Sequence, residues 1–130
     1  MHGNLPALEA VLTDMEQRRP DIIFCLSDLM GYAPWPNEVV NEVLRRGIPT
    51  LAGNYDLGIS LVSDNCGCAY KTDVEKGLGT QRIAYTNEEM DDDERRYLCL
   101  LPKHLRLDFQ EEPCTLSLPI VHGSPRKIND

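Results

Sequence analysis

The first third of the chain alternates between apolar residues at helical spacing and short continuous apolar runs. The first helical stripe predicts a helix that Asn4 caps and that stops before Pro20. The apolar positions of this stripe are Leu5, Leu8, Leu12 and Met15. The continuous run from Ile22 to Leu26 then predicts a strand that is buried on both faces.

The same alternation repeats once. A second stripe predicts another helix, which Gly47 caps, and its apolar positions are Val39, Val40, Val43 and Leu44. The apolar run from Ile48 to Ala52 predicts the next strand, and the polar residues 53–56 read as a turn. An order of helix, strand, helix and strand predicts parallel strands with crossover helices.

The remainder of the chain reads as helices followed by paired strands. Residues 70–101 are mostly helical in pattern, and the acidic run 91–94 suits a helix N-terminus. The segments HLRLDF and CTLSLPIVHG alternate with period two and predict a pair of strands. Pro119 places the second strand at a sheet edge or a bulge. The chain therefore reads as a single α/β domain over residues 1–130.

Composition narrows the class of protein. The chain has 130 residues, 42% of them hydrophobic, and a formal net charge of −8. This charge argues against general nucleic-acid binding and against binding to an anionic membrane surface. The sequence shows no membrane span and no secretory signal. Five scattered cysteines then predict reduced thiols and a cytoplasmic protein.

Three predicted strands end in a potential metal ligand beside a glycine turn. Asp28, Asn54 and His122 stand in the segments SDLMG, GNYD and VHGS, and His2 adds a fourth candidate before the first helix. These residue types suit Mn²⁺, Fe or Zn²⁺. Strand ends in α/β sheets converge on ligand sites, which favours one shared centre. Taken singly, Asp28 could be a structural cap, Asn54 and His122 turn residues, and His2 a disordered N-terminal residue.

The segments HGNLPALEAVL, SDLMGYAPWPNEVV, GIPTLAGNYD and VHGSPR together resemble the calcineurin-like metallophosphoesterases, most closely the small bacterial phosphodiesterase branch. The similarity extends over residues 2–128. It implies a four-layer α/β/β/α sandwich that hydrolyses phosphodiesters or phosphomonoesters with a hydroxide bridging two divalent metals. Mn²⁺ is the expected metal, with Fe, Ni or Zn as alternatives. The expected partner is a small phosphoester substrate, and homo-oligomerisation is left open.

The resemblance also implies roles for individual residues. His2 resembles a ligand of one metal, Asp28 the carboxylate that bridges both metals, and Asn54 and His122 ligands of the second metal.

The remaining site residues surround these ligands. Asp56 resembles the acidic residue that orients its neighbours, and Tyr55 stands where the family has a histidine that assists phosphoryl transfer. We expect Arg126 and Asn4 to contact the substrate, Arg126 on the basis of its charge and position.

Departures from the family pattern leave two other functions open. The family has an aspartate two residues before the position of His2 and a late G-H-x-H motif, and this sequence shows neither. We therefore expect a truncated domain that lacks the first strand and the C-terminal strands and is inactive and poorly folded alone. Tyr55 and the missing motifs favour a non-catalytic binding protein of the same fold. Cys66 and Cys68 favour, more weakly, a cysteine-based zinc or redox module.

Overall fold

The structure is a computed structural model, and it describes residues 1–128. The described residues contain five helices followed by one β-hairpin. The helices are α1 (Leu5–Arg18), α2 (Pro36–Arg45), α3 (Asn54–Ser60), α4 (Asp73–Glu89) and α5 (Asp92–Leu100). The hairpin consists of β1 (His104–Glu111) and β2 (Cys114–Val121), which pair antiparallel.

The first two predicted helices are confirmed. The Asn4 side-chain oxygen accepts a hydrogen bond of 3.1 Å from the backbone N–H of Ala7, as an N-cap residue does. The buried positions of α1 are Leu8 and Leu12, and α2 buries Val39, Val40 and Val43. Leu44 was also expected to be buried, but its exposed fraction is 51%. It lies about 100° around the helix from Val43, at the solvent edge of the buried stripe.

The two predicted central strands are reduced to a single parallel bridge between Cys25 and Thr50. The backbone N–H of Cys25 donates to the Pro49 carbonyl at 2.9 Å, so the predicted parallel direction is confirmed. Burial on both faces is wrong, because Ile22 and Leu26 are 57% and 55% exposed. In the described part of the chain the segment pairs on one side only, and an apolar run does not reveal how many strands will pair with it.

Residues 53–56 are not a turn, as the sequence suggested, but the start of α3. Gly53 is the N-cap, and the Asp56 carboxylate accepts a 3.0 Å hydrogen bond from its backbone N–H. Tyr55 and Ile59 point into the core. This helix is short and buried over most of its surface, so it has no amphipathic stripe that would predict it.

The predicted helical region 70–101 is confirmed as α4 and α5. Asp91 is the N-cap of α5, and the acidic residues that follow it occupy the first turn. Leu98 is buried, with Tyr97 and Leu101 packed against the core. Along residues 1–128, no helix combines the length and the apolar character that crossing a bilayer would need.

The β-hairpin is confirmed, and its register gives it one apolar face. Three cross-strand pairs share this face: Leu105 with Ile120, Leu107 with Leu118, and Phe109 with Leu116. Pro119 pairs opposite Arg106 in this two-stranded sheet, so it lies on an edge strand as expected. Among the described elements the hairpin packs on no helix. The segment that leads into the hairpin contacts the residues before α3 through the backbone, because the N–H of Ala52 donates to the Pro102 carbonyl at 2.8 Å.

Candidate active site

The site is built on one short loop and the first turn of α3, which a buried carboxylate joins together. Asp56 has no exposed surface, and its Oδ1 accepts hydrogen bonds from the backbone N–H groups of Leu29 at 2.8 Å and Met30 at 3.2 Å. Its Oδ2 accepts from Gly53. Burial raises the pKa of Asp56 to about 6, and the nearby charge of Asp28 acts in the same direction. Asp56 therefore joins the loop after Cys25 to the start of α3.

Asp28 lies in the first of these loops with its two carboxylate oxygens in different roles. Its backbone has a left-handed φ of 49°, and Ser27 before it has a φ of 87°. Oδ1 accepts a hydrogen bond from the backbone N–H of Tyr55 at 3.2 Å. Oδ2 instead faces two imidazoles, at 3.8 Å from Nε2 of His2 and 3.5 Å from Nε2 of His122. One oxygen thus anchors the carboxylate and the other is directed at both histidines.

Both histidines are oriented through their other ring nitrogen. Nδ1 of His2 lies 3.1 Å from the Met30 carbonyl oxygen, and Nδ1 of His122 lies 3.2 Å from the Leu26 carbonyl oxygen. Nδ1 of His122 also contacts the Ser27 hydroxyl. Because a carbonyl oxygen can only accept, Nδ1 must carry the proton in each neutral ring. We infer that each Nε2 turns a lone pair toward the Asp28 carboxylate, which is the usual orientation of a metal-binding histidine.

Asn54 completes the cluster with an oriented amide. Its Nδ2 donates to the Cys66 carbonyl at 2.8 Å and contacts the Cys68 sulfur at 3.5 Å. This leaves Oδ1 directed at Nε2 of His122, at 3.2 Å. The amide oxygen is therefore a further acceptor atom beside Nε2 of His122, which already faces Oδ2 of Asp28.

The structure thus brings His2, Asp28, Asn54 and His122 together. Acceptor atoms that face each other without a proton repel, and a cation between them removes that conflict. Two atoms bound to one ion at about 2.1 Å lie about 3.0–3.4 Å apart, close to the separations of 3.2, 3.5 and 3.8 Å seen here. Within the described residues, no three His, Cys, Asp or Glu side chains form a complete metal-binding group by themselves, and the cluster described here includes the amide oxygen of Asn54. The donor set fits a divalent ion, and the ligand roles stay predictions.

Tyr55 is a buried ring beside these residues. It is 1% exposed, and its ring meets that of His2 edge-on at a centroid distance of 5.7 Å. Its hydroxyl lies 3.3 Å from the hydroxyl of Tyr70. Burial raises the pKa of Tyr55, with hydrogen bonds to neighbouring phenols acting in the same direction. The phenol therefore stays protonated near neutral pH and can donate a hydrogen bond.

The two predicted substrate residues lie outside the contacts of this cluster. Asn4 caps α1 through its side-chain oxygen, and Arg126 is exposed on the turn that follows β2. Neither position tests a contact with substrate, so both roles stay predictions.

Sequence reasoning missed several residues that shape the site. At Gly53, a Cβ would lie 2.1 Å from Oδ1 of Asp28, so the approach of α3 to this carboxylate requires glycine. Tyr32 packs edge-on against His2 at 4.8 Å. The glycine of GNYD was a visible signal for the close approach. For Tyr32 the sequence holds no signal beyond its position four residues after Asp28.

Two of the cysteines, Cys66 and Cys68, contact the site through Asn54, whereas Cys99 and Cys114 are exposed on α5 and β2. All five are free thiols. Burial raises the pKa of Cys66 to about 12, which leaves it a poor thiolate for metal binding or exchange chemistry. These features disfavour the zinc or redox module that Cys66 and Cys68 suggested.

Comparisons with known proteins agree with this architecture. A family model described as calcineurin-like phosphoesterase matches residues 1–124. The crystal structure of a metallophosphoesterase from Sphaerobacter thermophilus is similar with 31% identity and a TM-score of 0.64, over 98% of this chain and 45% of that one. A hypothetical protein from Pyrococcus horikoshii shares the fold with a TM-score of 0.73 at 23% identity, over 99% of this chain and 54% of that one.

An uncharacterised protein of Methanocaldococcus jannaschii is 42% identical over 59 residues, which is 45% of this chain and 24% of that protein. The chain therefore spans about half the length of the two solved structures and about a quarter of this relative. The five helices and two-stranded sheet of residues 1–128 form part of the metallophosphoesterase α/β fold, as the motifs predicted. On the match over residues 1–124, the chain belongs to the calcineurin-like phosphoesterase family.

Proposed function

We propose that this protein is a metal-dependent phosphoesterase that hydrolyses small phosphodiesters or phosphomonoesters with two divalent ions, Mn²⁺ first among them. The observation that carries the proposal is the arrangement around Oδ2 of Asp28. Two imidazoles, each oriented through Nδ1 by a backbone carbonyl, turn Nε2 toward this one oxygen at 3.8 and 3.5 Å. Family membership supports phosphoester hydrolysis, and the donor set supports a metal. The free thiols support a reducing cytoplasmic location.

In this proposal the ligands divide between two ions. His2 would hold one ion, Asn54 and His122 the other, and Asp28 would bridge them, because a carboxylate can bind two cations at once. When bound, divalent ions lower the pKa of water and neutralise charge on phosphoryl oxygens.

The protein's own groups would orient these ligands and the substrate. Asp56 keeps the Asp28 loop in place through its three backbone hydrogen bonds. Tyr55, which burial keeps protonated, would donate a hydrogen bond to the reacting phosphate in place of the family histidine. Arg126 would reach a phosphate of the substrate, and Asn4 would also contact the substrate.

The test is Mn²⁺-dependent hydrolysis of bis-p-nitrophenyl phosphate by the full protein, meaning the full-length gene product. Asp28→Asn keeps the shape of the side chain but weakens the bridge, so activity should fall by at least about 100-fold. Asp93→Asn is the matched control, because that side chain is 87% exposed and lies on α5. His122→Ala should weaken metal binding and recover part of its activity at high Mn²⁺. Hydrolysis without metal, or full activity in Asp28→Asn, would overturn the proposal.

A second candidate is a non-catalytic metal-binding protein of the same fold. The observation that favours it is Tyr55, which is 1% exposed and directs its hydroxyl to Tyr70. Calorimetry separates the two functions. Mn²⁺ binding that Asp28→Asn abolishes, together with no turnover of mono- or diester substrates, would establish the second candidate and exclude the first.

A further inference from the structure

A cavity of about 320 Å³ adjoins the Asp28 cluster. Its lining includes two of the predicted ligands, Asn54 and His122, and two tyrosines, Tyr32 and Tyr70. Cys68 and Ile128 add a thiol and an aliphatic side chain to the lining. The volume lies at the lower end of the range of small-molecule sites. A group bound there would therefore be small and would contact the proposed metal ligands directly.

Tyr32 is held in place from several sides. The guanidinium carbon of Arg82 lies 4.7 Å from the centroid of its ring, a cation–π contact. The rings of His2 and Tyr55 pack against it at centroid distances of 4.8 and 5.3 Å. Its exposed fraction is nevertheless 43%, so a large part of the ring stays available to a ligand.

Tyr70 is held by different contacts. Its hydroxyl meets that of Tyr55 at 3.3 Å, and its ring lies over the backbone of α4 at Gly79. A Cβ at Gly79 would be 2.0 Å from this hydroxyl, so the position requires a glycine there. Tyr32 and Tyr70 come from different parts of the chain and both contact Tyr55. These two aromatic side chains are already held in place, so they need little ordering when a ligand binds.

The charge of the lining selects among ligands. None of the described lining residues is Lys, Arg, Asp or Glu. A second phosphate, or any other charged group bound in this cavity, would therefore have no oppositely charged Lys, Arg, Asp or Glu side chain to pair with. A neutral planar ring matches the two tyrosines, because aromatic rings stack or meet edge-to-face at low entropic cost.

We propose that this cavity, which we name the aromatic subsite, binds a planar aromatic or heteroaromatic ring on the alcohol side of the phosphoester. The inference rests on the proposed function for the position of the phosphate. It adds a substrate class, esters of ring-bearing alcohols, and makes Tyr70 a residue that determines specificity. The phosphate end would lie beside Asn54 and His122, the proposed ligands of the second ion, while Tyr32 and Tyr70 contact the ring.

Equilibrium binding of two phosphonates tests this without turnover, because the carbon–phosphorus bond is not hydrolysed. Phenylphosphonate and methylphosphonate are titrated calorimetrically into the full protein with Mn²⁺. The phenyl compound should bind about tenfold more tightly, as expected for one stacked ring. In Tyr70→Ala this advantage should fall to about threefold or less. Tyr85→Ala is the matched control, since Tyr85 is a 40% exposed tyrosine of α4 outside this cavity, and it should keep the full advantage.

Tyr70→Leu, which keeps an apolar side chain, should lose most of the advantage while retaining the thermal midpoint, so misfolding is separated from loss of stacking. Equal affinities for both phosphonates, or an unchanged advantage in Tyr70→Leu, would overturn the aromatic subsite. Failure of the proposed function looks different. In that case phenylphosphonate retains its preference and its dependence on Tyr70, but bis-p-nitrophenyl phosphate is not hydrolysed with any metal.

Discussion

Two regions of this chain are stabilised in opposite ways. The anchored loops, a name we give to the loop at residues 26–31 and the first turn of α3 at residues 53–56, lie beside one isolated backbone bridge. They depend on hydrogen bonds from the backbone to the carboxylates of Asp56 and Asp28. The hairpin β1–β2 depends on a regular ladder of eight residue pairs, and β2 is exposed over most of its length. Asp28 and Asn54, two of the predicted metal ligands, lie in the anchored loops, and a third, His122, directly follows the end of β2.

The two regions differ in how strongly a single substitution can disturb their structure. Each anchored loop is positioned by a few side chains, so a single substitution can displace Asp28. In the hairpin the ladder is made by backbone groups, so most side chains there can change without altering the register. Stability of the site should therefore be concentrated in a few positions, and stability of the hairpin should be spread along both strands.

The largest expected effect is that of Asp56→Ala. The substitution leaves three backbone N–H groups, those of Leu29, Met30 and Gly53, buried without their acceptor. We expect the free energy of unfolding to fall by about 3 kcal/mol or more, because each of the three unsatisfied donors costs about 1–3 kcal/mol. Urea denaturation of the full protein measures this.

Asp93→Ala is the control for this prediction, since its exposed ion pair with Arg96 should contribute at most about 1 kcal/mol. If Asp56→Ala lost no more than Asp93→Ala, the anchored loops would not depend on the buried carboxylate. The contrast with the hairpin would then disappear.

Sequence reasoning succeeded where structure is local and periodic. The stripe that includes Leu8 and Leu12 predicted α1, and period-two alternation predicted both strands of the hairpin. It failed at α3, because this helix is buried on most sides and shows no stripe. It also failed at Ile22 and Leu26, where an apolar run says nothing about which strands will cover it.

At the site, motifs predicted which residues would meet, but not how they are oriented. The convergence of Asp28, Asn54 and His122 followed from their positions at the ends of apolar runs. The orientation of each imidazole depends on backbone carbonyls such as Met30 and Leu26, which any residue type provides. Tyr70 reaches the site from a long irregular loop, whose path no periodicity describes.

A second prediction compares the same substitution at two glycines. In Gly53→Ala the new Cβ would be 2.1 Å from Oδ1 of Asp28 and 2.8 Å from Oγ of Ser27, so the carboxylate must move. We expect a loss of about 1–3 kcal/mol in stability and weaker Mn²⁺ binding by calorimetry. In Gly77→Ala no atom lies within 4 Å, and the residue is inside α4. That variant should gain about 0.5–1 kcal/mol, because alanine favours helix. A tolerated Gly53→Ala would show that Asp28 has room to adjust.

The smallest expected effect lies on the apolar face of the hairpin. Leu116 is 60% exposed, whereas Ile120, on the same strand and the same face, is half-buried near the end that leads to His122. Leu116→Ser should change the free energy of unfolding by about 0.5 kcal/mol or less, as exposed substitutions usually do. Ile120→Ser should cost about 1 kcal/mol, because it removes apolar area that is partly shielded from water. Urea denaturation of the full protein compares the two variants directly. Losses above about 2 kcal/mol for both would mean that another surface covers the whole face, and the hairpin would then be as tightly constrained as the anchored loops.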